Sequence, residues 1–297
     1  MTIPLPLAEI IVKDLKVNPL KGSKALMLGQ SAVCADISTI QKILQKNQVF
    51  QNIESLTVQL DTSTQLAEQY PDKNFILAET FLQLLGLEDI DVLDISAYEG
   101  ANIQHDICSD LPEHLVGVYD FVFNASVLDN VFDPAQALKN MNRTLKPEGG
   151  RIVHIEMATN DKFPYLVFTP GWFLDYYAIN HFKRCQIYLA QYNTVEELLF
   201  GPWLMWGCMP LTNLKLSAPT LQGSSAILVI IAERESSSTI DINPIQGHYR
   251  SQEEQSRINT SLDRFSSMPF YTSAINEYNI GGIQEIAQWQ WCYCGKW

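Results

Sequence analysis

The sequence predicts an α/β fold organised on a parallel sheet whose polar groups gather along one edge. Three observations carry that expectation. Between Asp91 and Met157, short β-branched runs (Val92–Ile95, Tyr119–Phe123 and Arg151–Ile155) alternate with a helical segment, as parallel strands require. Acidic or small polar residues stand where the runs end, at Asp94, Asn124 and Glu156. The chain has 297 residues, 46% hydrophobic and 18% charged, enough to bury one principal core with additions around it.

Residues 1–23 mix Pro and Leu around an amphipathic piece, Leu7–Leu15, and read as a lead-in helix. Lys24–Leu28 is a short apolar strand closed by Gly29 and Gln30. Asp36–Lys46 follows as a helix, with Ile37, Ile40, Ile43 and Leu44 at helical spacing. Ser55–Leu60 alternates like a strand, and Asn74–Leu85 reads as an apolar helix stopped by Gly86. Asp91–Ile95 is the next strand, Asn102–Ile107 a short one containing Asp106, and Tyr119–Phe123 a buried one. Pro134 opens a helix whose Leu138, Met141 and Leu145 share a face, and Lys146-Pro147 with Gly149-Gly150 closes it. Arg151–Met157 is then a strand. After an aromatic block, Arg184–Leu189 and Ser225–Ala232 read as two more, separated by a Trp-rich insertion, Pro202–Gly223. Past Arg234 a Ser- and Pro-bearing connector leads to a tail in which Gln252–Arg264 is helical. The expected organisation is a lead-in over 1–23, a main domain over 24–234 and an extension over 235–297 packing on it.

Thirty-three acids against twenty bases give a formal charge of −13, which repels phosphate backbones and anionic lipid and argues against a nucleic-acid or membrane partner. No apolar run reaches the roughly 18 residues that span a bilayer. The opening MTIPLPLAEIIVKDLK lacks a basic start before an apolar core, so a cytoplasmic protein is expected. The six cysteines are scattered and read as free thiols. Cys292 and Cys294 form a C-x-C with no second pair or His cluster nearby, and no metal is expected.

Ligands of open α/β sheets settle outside the carboxyl ends of the strands, where strand order reverses. At those ends Gly29 allows close backbone approach, and Asp94 is placed to accept from two ribose hydroxyls. Asp106 with apolar Ile107 suits an adenine amino group and ring face, and Asn124-Ala125-Ser126 supplies small polar atoms. Over residues 24–233, the runs LDISAYEGANIQHDICSDLP, YDFVFNASVLDNVFDP, ALKNMNRTLKPEGGRIVHIE and FTPGWFLDYYAINHF resemble a class I S-adenosylmethionine-dependent methyltransferase of the type acting on small molecules or glycans. The resemblance implies a Rossmann-like, seven-stranded, mostly parallel sheet with helices on both faces and an antiparallel edge near 184–189 and 225–232. It implies S-adenosyl-L-methionine as cofactor and a small-molecule, peptide or sugar acceptor, with secondary metabolism as a setting.

The family's glycine-rich turn, Asp/Glu-x-Gly-x-Gly-x-Gly, is nowhere intact. LDISAYEG could be that turn with two glycines replaced, but only 25 residues separate Asp94 from Tyr119, too few for two further strand-helix units. The alternative makes KALMLGQ the first strand and turn, puts Asp94 on the second strand and Asp106 on the third, and gives each strand a connection long enough for a crossover. On that placement the cofactor set is Gly29, Gln30, Asp94, Ile95, Ser96, Asp106, Ile107, Asn124, Ala125 and Ser126. A strand-end Asp also serves as a turn former, and Asp106 suits a cap before Ser109 equally.

Methyl transfer from a sulfonium rests mainly on alignment, with a base needed only if the acceptor must lose a proton. His154 is the candidate base, although strand alternation can equally aim it inward as a structural residue. The aromatic block (Phe163, Tyr165, Phe168, Trp172, Phe173, Tyr176, Tyr177) with Trp203 and Trp206 could roof an acceptor pocket or fill a core. Tyr165, Trp172, Tyr176 and Trp206 are the acceptor candidates. O-methylation is the expected activity. A non-catalytic relative that keeps the fold as a binding or assembly subunit is the alternative, motivated by the missing glycines.

Overall fold

The computed structural model describes residues 2–49, 56–97, 100–159, 164–210, 223–271, 284–286 and 289–297. From the N-terminus, β1 (Thr2–Ile3) and α1 (Leu5–Val17) precede β2 (Lys24–Leu28). An excursion follows, with β3 (Ala32–Val33), α2 (Ile37–Lys46), α3 (Gln65–Gln69), β4 (Ile76–Leu77) and α4 (Ala78–Gln83). The chain then forms β5 (Asp89–Asp94), β6 (Ile103–Gln104), β7 (Phe121–Ala125), α5 (Pro134–Thr144), β8 (Arg151–Met157), α6 (Pro170–Ile179) and β9 (Arg184–Tyr192). It closes with α7 (Val195–Phe200), β10 (Leu204–Pro210), β11 (Ser225–Glu233), α8 (Gln252–Ser266), β12 (Gln284–Ile286) and β13 (Trp289–Lys296).

One sheet runs in the order β12-β13-β10-β9-β11-β8-β7-β2-β5-β6. Strands β6, β5, β2, β7 and β8 are mutually parallel. Strand β2 lies between β5 and β7, with Leu28 in register with both Leu93 and Asn124. The chain therefore travels outward from β2 to β6 and returns to β7, so the order reverses beside β2. That topology makes Lys24–Leu28 the first strand and Asp89–Asp94 the second, and LDISAYEG is not the first turn.

Side chains alternate across the sheet and feed two cores. Ala25, Met27, Val92, Phe121, Phe123, Val153 and Ile155 face the layer that holds α1, α2 and α4. Leu26, Leu28, Leu93, Val122 and Ile152 face α5 and α6, with Ile258 and Phe265 of α8 behind them. Helix signals are local: Asp36, Thr194 and Asp133 accept hydrogen bonds from the N3 backbone amides of α2, α7 and α5. Ser251 and Glu254 form a reciprocal capping box on α8.

Four expectations are corrected. The antiparallel part is no edge: β11 is wedged between β8 and β9, antiparallel to both, and β10, β13 and β12 extend the sheet beyond β9. Part of the Trp-rich insertion is β10, because its backbone finds β9 and β13 as partners. Residues 56–59 form no strand, and Leu60 makes only an isolated bridge to Ile76. The helix expected over 74–85 begins at Ala78, because Ile76 and Leu77 are drawn into pairing with β3.

At the amino ends of the parallel strands, α1 is fastened by buried charge. Asp14 accepts from Arg151 Nη1 at 2.9 Å, from Arg184 Nη1 and Nη2 at 2.7 and 3.0 Å, and from the Tyr271 hydroxyl at 2.7 Å. Glu233 accepts from Arg151 Nη2 at 2.8 Å and Arg184 Nε at 3.1 Å. Two acids face these two guanidiniums, all four nearly inaccessible to solvent, and the exposed Lys183 ammonium also pairs with Glu233 from outside. Among the described residues no helix is long and apolar enough to cross a membrane.

Candidate functional site at the carboxyl edge of the sheet

The carboxyl ends of β6, β5, β2, β7 and β8 lie side by side. Their order carries Asp106, Asp94, Gly29, Ser126 and Glu156 along one edge, about 4.8 Å per strand step and so roughly 19 Å from end to end. Gly29 turns the chain at φ +78°, a conformation in which glycine carries no steric penalty, and its amide donates to Leu93 O at 2.8 Å. That bond ties the first turn to the second strand. Asp94, half-buried, accepts from Ser96 N at 3.0 Å through Oδ1. Between those two residues Ile95 projects 76% exposed, an apolar side chain that the fold leaves at the mouth. Asp106 is exposed and accepts from Cys108 N at 2.9 Å and from Ser109 Oγ at 3.3 Å, the turn-capping geometry, while Ile107 beside it is buried.

Behind the ends of β7 and β8 lies a buried polar network. Asn124 Nδ2 donates to His154 Nδ1 at 2.8 Å and to Glu156 Oε1, while Asn124 Oδ1 accepts from Val127 N at 3.1 Å. The Val127 bond fixes the amide orientation, so His154 Nδ1 must be an acceptor and Nε2 carries the proton, donated to the Tyr177 hydroxyl at 2.7 Å. His154 is fully buried, both nitrogens are taken, and burial holds its pKa down at about 3, so it is neutral. The Asn124 side chain is equally committed inward, and Ala125 is buried. Only Ser126 turns outward. It adopts φ +61°, strained for a residue with a Cβ, and its hydroxyl donates to Asp129.

Asp129 and Glu156 were not among the sequence candidates, yet they are the perturbed acids here. Glu156 Oε2 accepts from Asp129 N at 3.2 Å. Burial, then repulsion from Asp129, raises the Glu156 pKa well above the carboxylate range, and burial raises that of Asp129. Alternation could have flagged Glu156, since it shares a face with His154 two residues before it. Asp129 lies in a short turn past the strand, where no pattern marks it. A cavity of about 170 Å³ opens beside them, lined by Ser126, Ile155, Glu156, Met157 and Ile227 and closed by Thr2, Pro4 and Leu198.

The aromatic candidates do not converge on one pocket. Trp172 and Tyr176 line a separate cavity of about 530 Å³ between α5, α6 and the 243–247 segment, with Lys139 and Asp175. Tyr165 is exposed and packs on Phe132, ring centroids 4.9 Å apart. Trp206 is buried in the core on β10, its Nε1 donating to Gln191 at 3.0 Å. Phe163 and most of the insertion after Pro210 lie outside the described residues. Cys34, Cys108, Cys185, Cys208 and Cys294 are free thiols, and no group of described His, Cys, Asp or Glu residues could hold a metal ion.

The first turn carries a further feature. Gln30 Nε2 donates to Glu79 Oε1 at 2.7 Å, but Gln30 Oε1, Ser31 Oγ and Glu79 Oε2 are buried with no partner among the described residues. Each such atom costs about 1–3 kcal/mol. Unsatisfied acceptors beside Gly29, an exposed apolar residue beside Asp94 and a carboxylate at the second strand fit a ligand with a cationic end, an apolar ring and a ribose.

Residues 76–153 match a family model described as a methyltransferase domain. No curated protein matches the chain. Among solved structures, the CMeT domain of the citrinin polyketide synthase aligns at 13% identity and TM-score 0.36, covering 79% of this chain. This chain spans 52% of that one, about half its length. A Thermotoga maritima protein described as a SAM-dependent methyltransferase, possible histamine N-methyltransferase, aligns at 14% identity and TM-score 0.36, covering 77% of this chain and 89% of its own. The StiE O-MT aligns at 15% identity and TM-score 0.33, covering 88% of this chain and 81% of its own. The matched segment runs from β4 into β8, through the second, third and fourth parallel strands, and over this quarter of its length the chain is similar to methyltransferase domains, which take S-adenosyl-L-methionine as cofactor.

Proposed function

We propose that the protein methylates an oxygen of a small-molecule, peptide or sugar acceptor, with the cofactor lying along the carboxyl edge of the sheet from β6 to β8. The observation that carries this reading is the row of strand ends beside the point where strand order reverses. In this reading Asp94 accepts from the ribose, the exposed Ile95 and the buried Ile107 flank the adenine ring, and the 170 Å³ cavity lined by Ser126 takes the acceptor. The cofactor supplies an activated methyl on a sulfonium. The residues of this chain have then to orient the two reactants and exclude water. In this reading Ser126, held by Asp129, faces the acceptor. The carboxyls of Asp129 and Glu156, raised by burial, form a proton sink closer to neutral pH than an ordinary acid, and His154 keeps Asn124 and Glu156 in place from behind.

Titration calorimetry with S-adenosyl-L-methionine tests the cofactor part, and absence of heat at millimolar ligand would reject it. Transfer of labelled methyl into an extract of hydroxyl- and carboxylate-bearing metabolites tests the acceptor part. Cofactor affinity with no transfer across such acceptors would favour a binding or assembly subunit. The degenerate first turn and the inward commitment of His154 are what motivate that second reading.

A further inference from the structure

The chain departs most from the usual glycine turn after β2, and there the structure leaves a cluster of acceptors unused. Gln30 and Ser31 follow Gly29 directly, and both are more than nine-tenths buried. The amide of Ala78 donates to Ser31 O at 2.9 Å, so the start of α4 rests on this turn and brings Glu79 to it. Gln30 spends its amide hydrogen on Glu79 Oε1 at 2.7 Å, which fixes both side chains. Three oxygens then remain without a donor among the described residues: Gln30 Oε1, Ser31 Oγ and Glu79 Oε2. Among the described residues no Lys or Arg forms an ion pair with Glu79.

Two of these oxygens belong to a carboxylate and an amide and can only accept; the hydroxyl can accept as well. A group that presents several N–H donors and a positive charge satisfies such a set. A phosphate or carboxylate does not. From this cluster we infer that Gln30, Ser31 and Glu79 receive the α-ammonium group at the amino-acid end of the cofactor. A carboxylate from the excursion between β2 and β5 thereby does work that the missing glycine turn would otherwise share with its backbone. The inference rests on the cofactor reading given above. Position agrees with it: the cluster lies at the end of β2, between Asp94 on one side and Ser126 on the other, so a ribose at Asp94 leaves the amino-acid end on the β2 side.

Two nucleosides separate this inference from the reading beneath it. S-adenosylhomocysteine carries the amino-acid end, and 5′-methylthioadenosine shares the nucleoside and thioether but lacks it. Calorimetry on the wild type, Glu79→Gln, Ser31→Ala and Asp94→Ala would measure both ligands, with thermal melts confirming that each variant is folded. Glu79→Gln is expected to weaken S-adenosylhomocysteine ten- to hundredfold, as loss of a bond to a charged group does, and to leave 5′-methylthioadenosine within twofold. Asp94→Ala should weaken both ligands. If Glu79→Gln and Ser31→Ala leave S-adenosylhomocysteine unchanged, or weaken both ligands alike, the ammonium assignment is overturned while the cofactor reading stands. If the wild type binds neither ligand, the cofactor reading falls and takes the assignment with it.

Discussion

Acid titration of His154 distinguishes a buried scaffold residue from a catalytic base. Its folded-state pKa, about 3, lies below the ordinary value of 6.5 because burial penalises the imidazolium. The unfolded chain therefore takes up the proton first. The stability that His154 contributes is complete above pH 6.5 and falls as the pH drops from 6.5 towards 3. At roughly 1.36 kcal/mol for each pH unit, the loss at pH 5 is about 2 kcal/mol. Glu156 acts in the opposite sense: its pKa is raised, so its contribution is complete below 4.5 and shrinks as pH rises. Glu156 is present in both proteins when wild type is compared with His154→Gln, and to first order its effect cancels. Gln can still accept from Asn124 and donate to Tyr177, but does not titrate. Urea unfolding at pH 7 and pH 5 should show the wild type losing about 2 kcal/mol more than the variant, while kcat changes by only a few-fold. Equal pH dependence in the two proteins, or a loss in kcat of about 10²–10⁴ as expected for a missing general base, would refute the reasoning.

Removing the carboxylate of Asp94 is expected to weaken S-adenosylhomocysteine by about ten- to hundredfold, measured by calorimetry; unchanged affinity would detach Asp94 from the ribose. Asp14→Ala leaves Glu233 as the one carboxylate facing the buried Arg151 and Arg184, and chemical unfolding should report a loss of about 3–5 kcal/mol. A loss below about 1 kcal/mol would mean that solvent reaches the guanidiniums. Glu156→Gln removes a carboxyl that burial makes costly to ionise, so wild type should lose more stability than the variant between pH 5 and pH 9. Parallel unfolding midpoints across that range would contradict the raised pKa.

Where structure follows from local chemistry, the sequence was readable. Lys24–Leu28 and Arg151–Met157 are strands with the expected bounds, and the helix opened by Pro134 is held by the Asp133 cap. Seven of the sheet's strands and their parallel core were legible in this way. The three strands beyond β9 were not, because their stability comes from partners far along the chain: β10 needs β13, some eighty residues on. Residues 56–59 show the converse, an alternating pattern that forms no strand and meets Ile76–Leu77 only at the isolated bridge beside Leu60. Of the candidate site, the position of Asp94 at the end of β5 was legible, whereas Asp106 lies two residues past β6 and caps a turn there. Glu79 and Asp129 could not be read, since each is placed by a tertiary contact, the start of α4 on the first turn and a short turn behind β7. For His154, position along the strand names the residue, but packing against Tyr177 decides that it points inward.

Residues 29–88 form a long detour between two strands that pair directly, β2 and β5. Closing such a loop is inexpensive in free energy, since each doubling of length adds only about 0.6 kcal/mol. It is costly in time, because β2 must wait for a partner that is remote in sequence, and folds dominated by remote contacts form slowly. A slow central pairing leaves the edges of β2 open while the detour folds. Mutations that speed or slow the detour should therefore alter yield on refolding, through aggregation of the open sheet, before they alter the equilibrium stability of the finished protein.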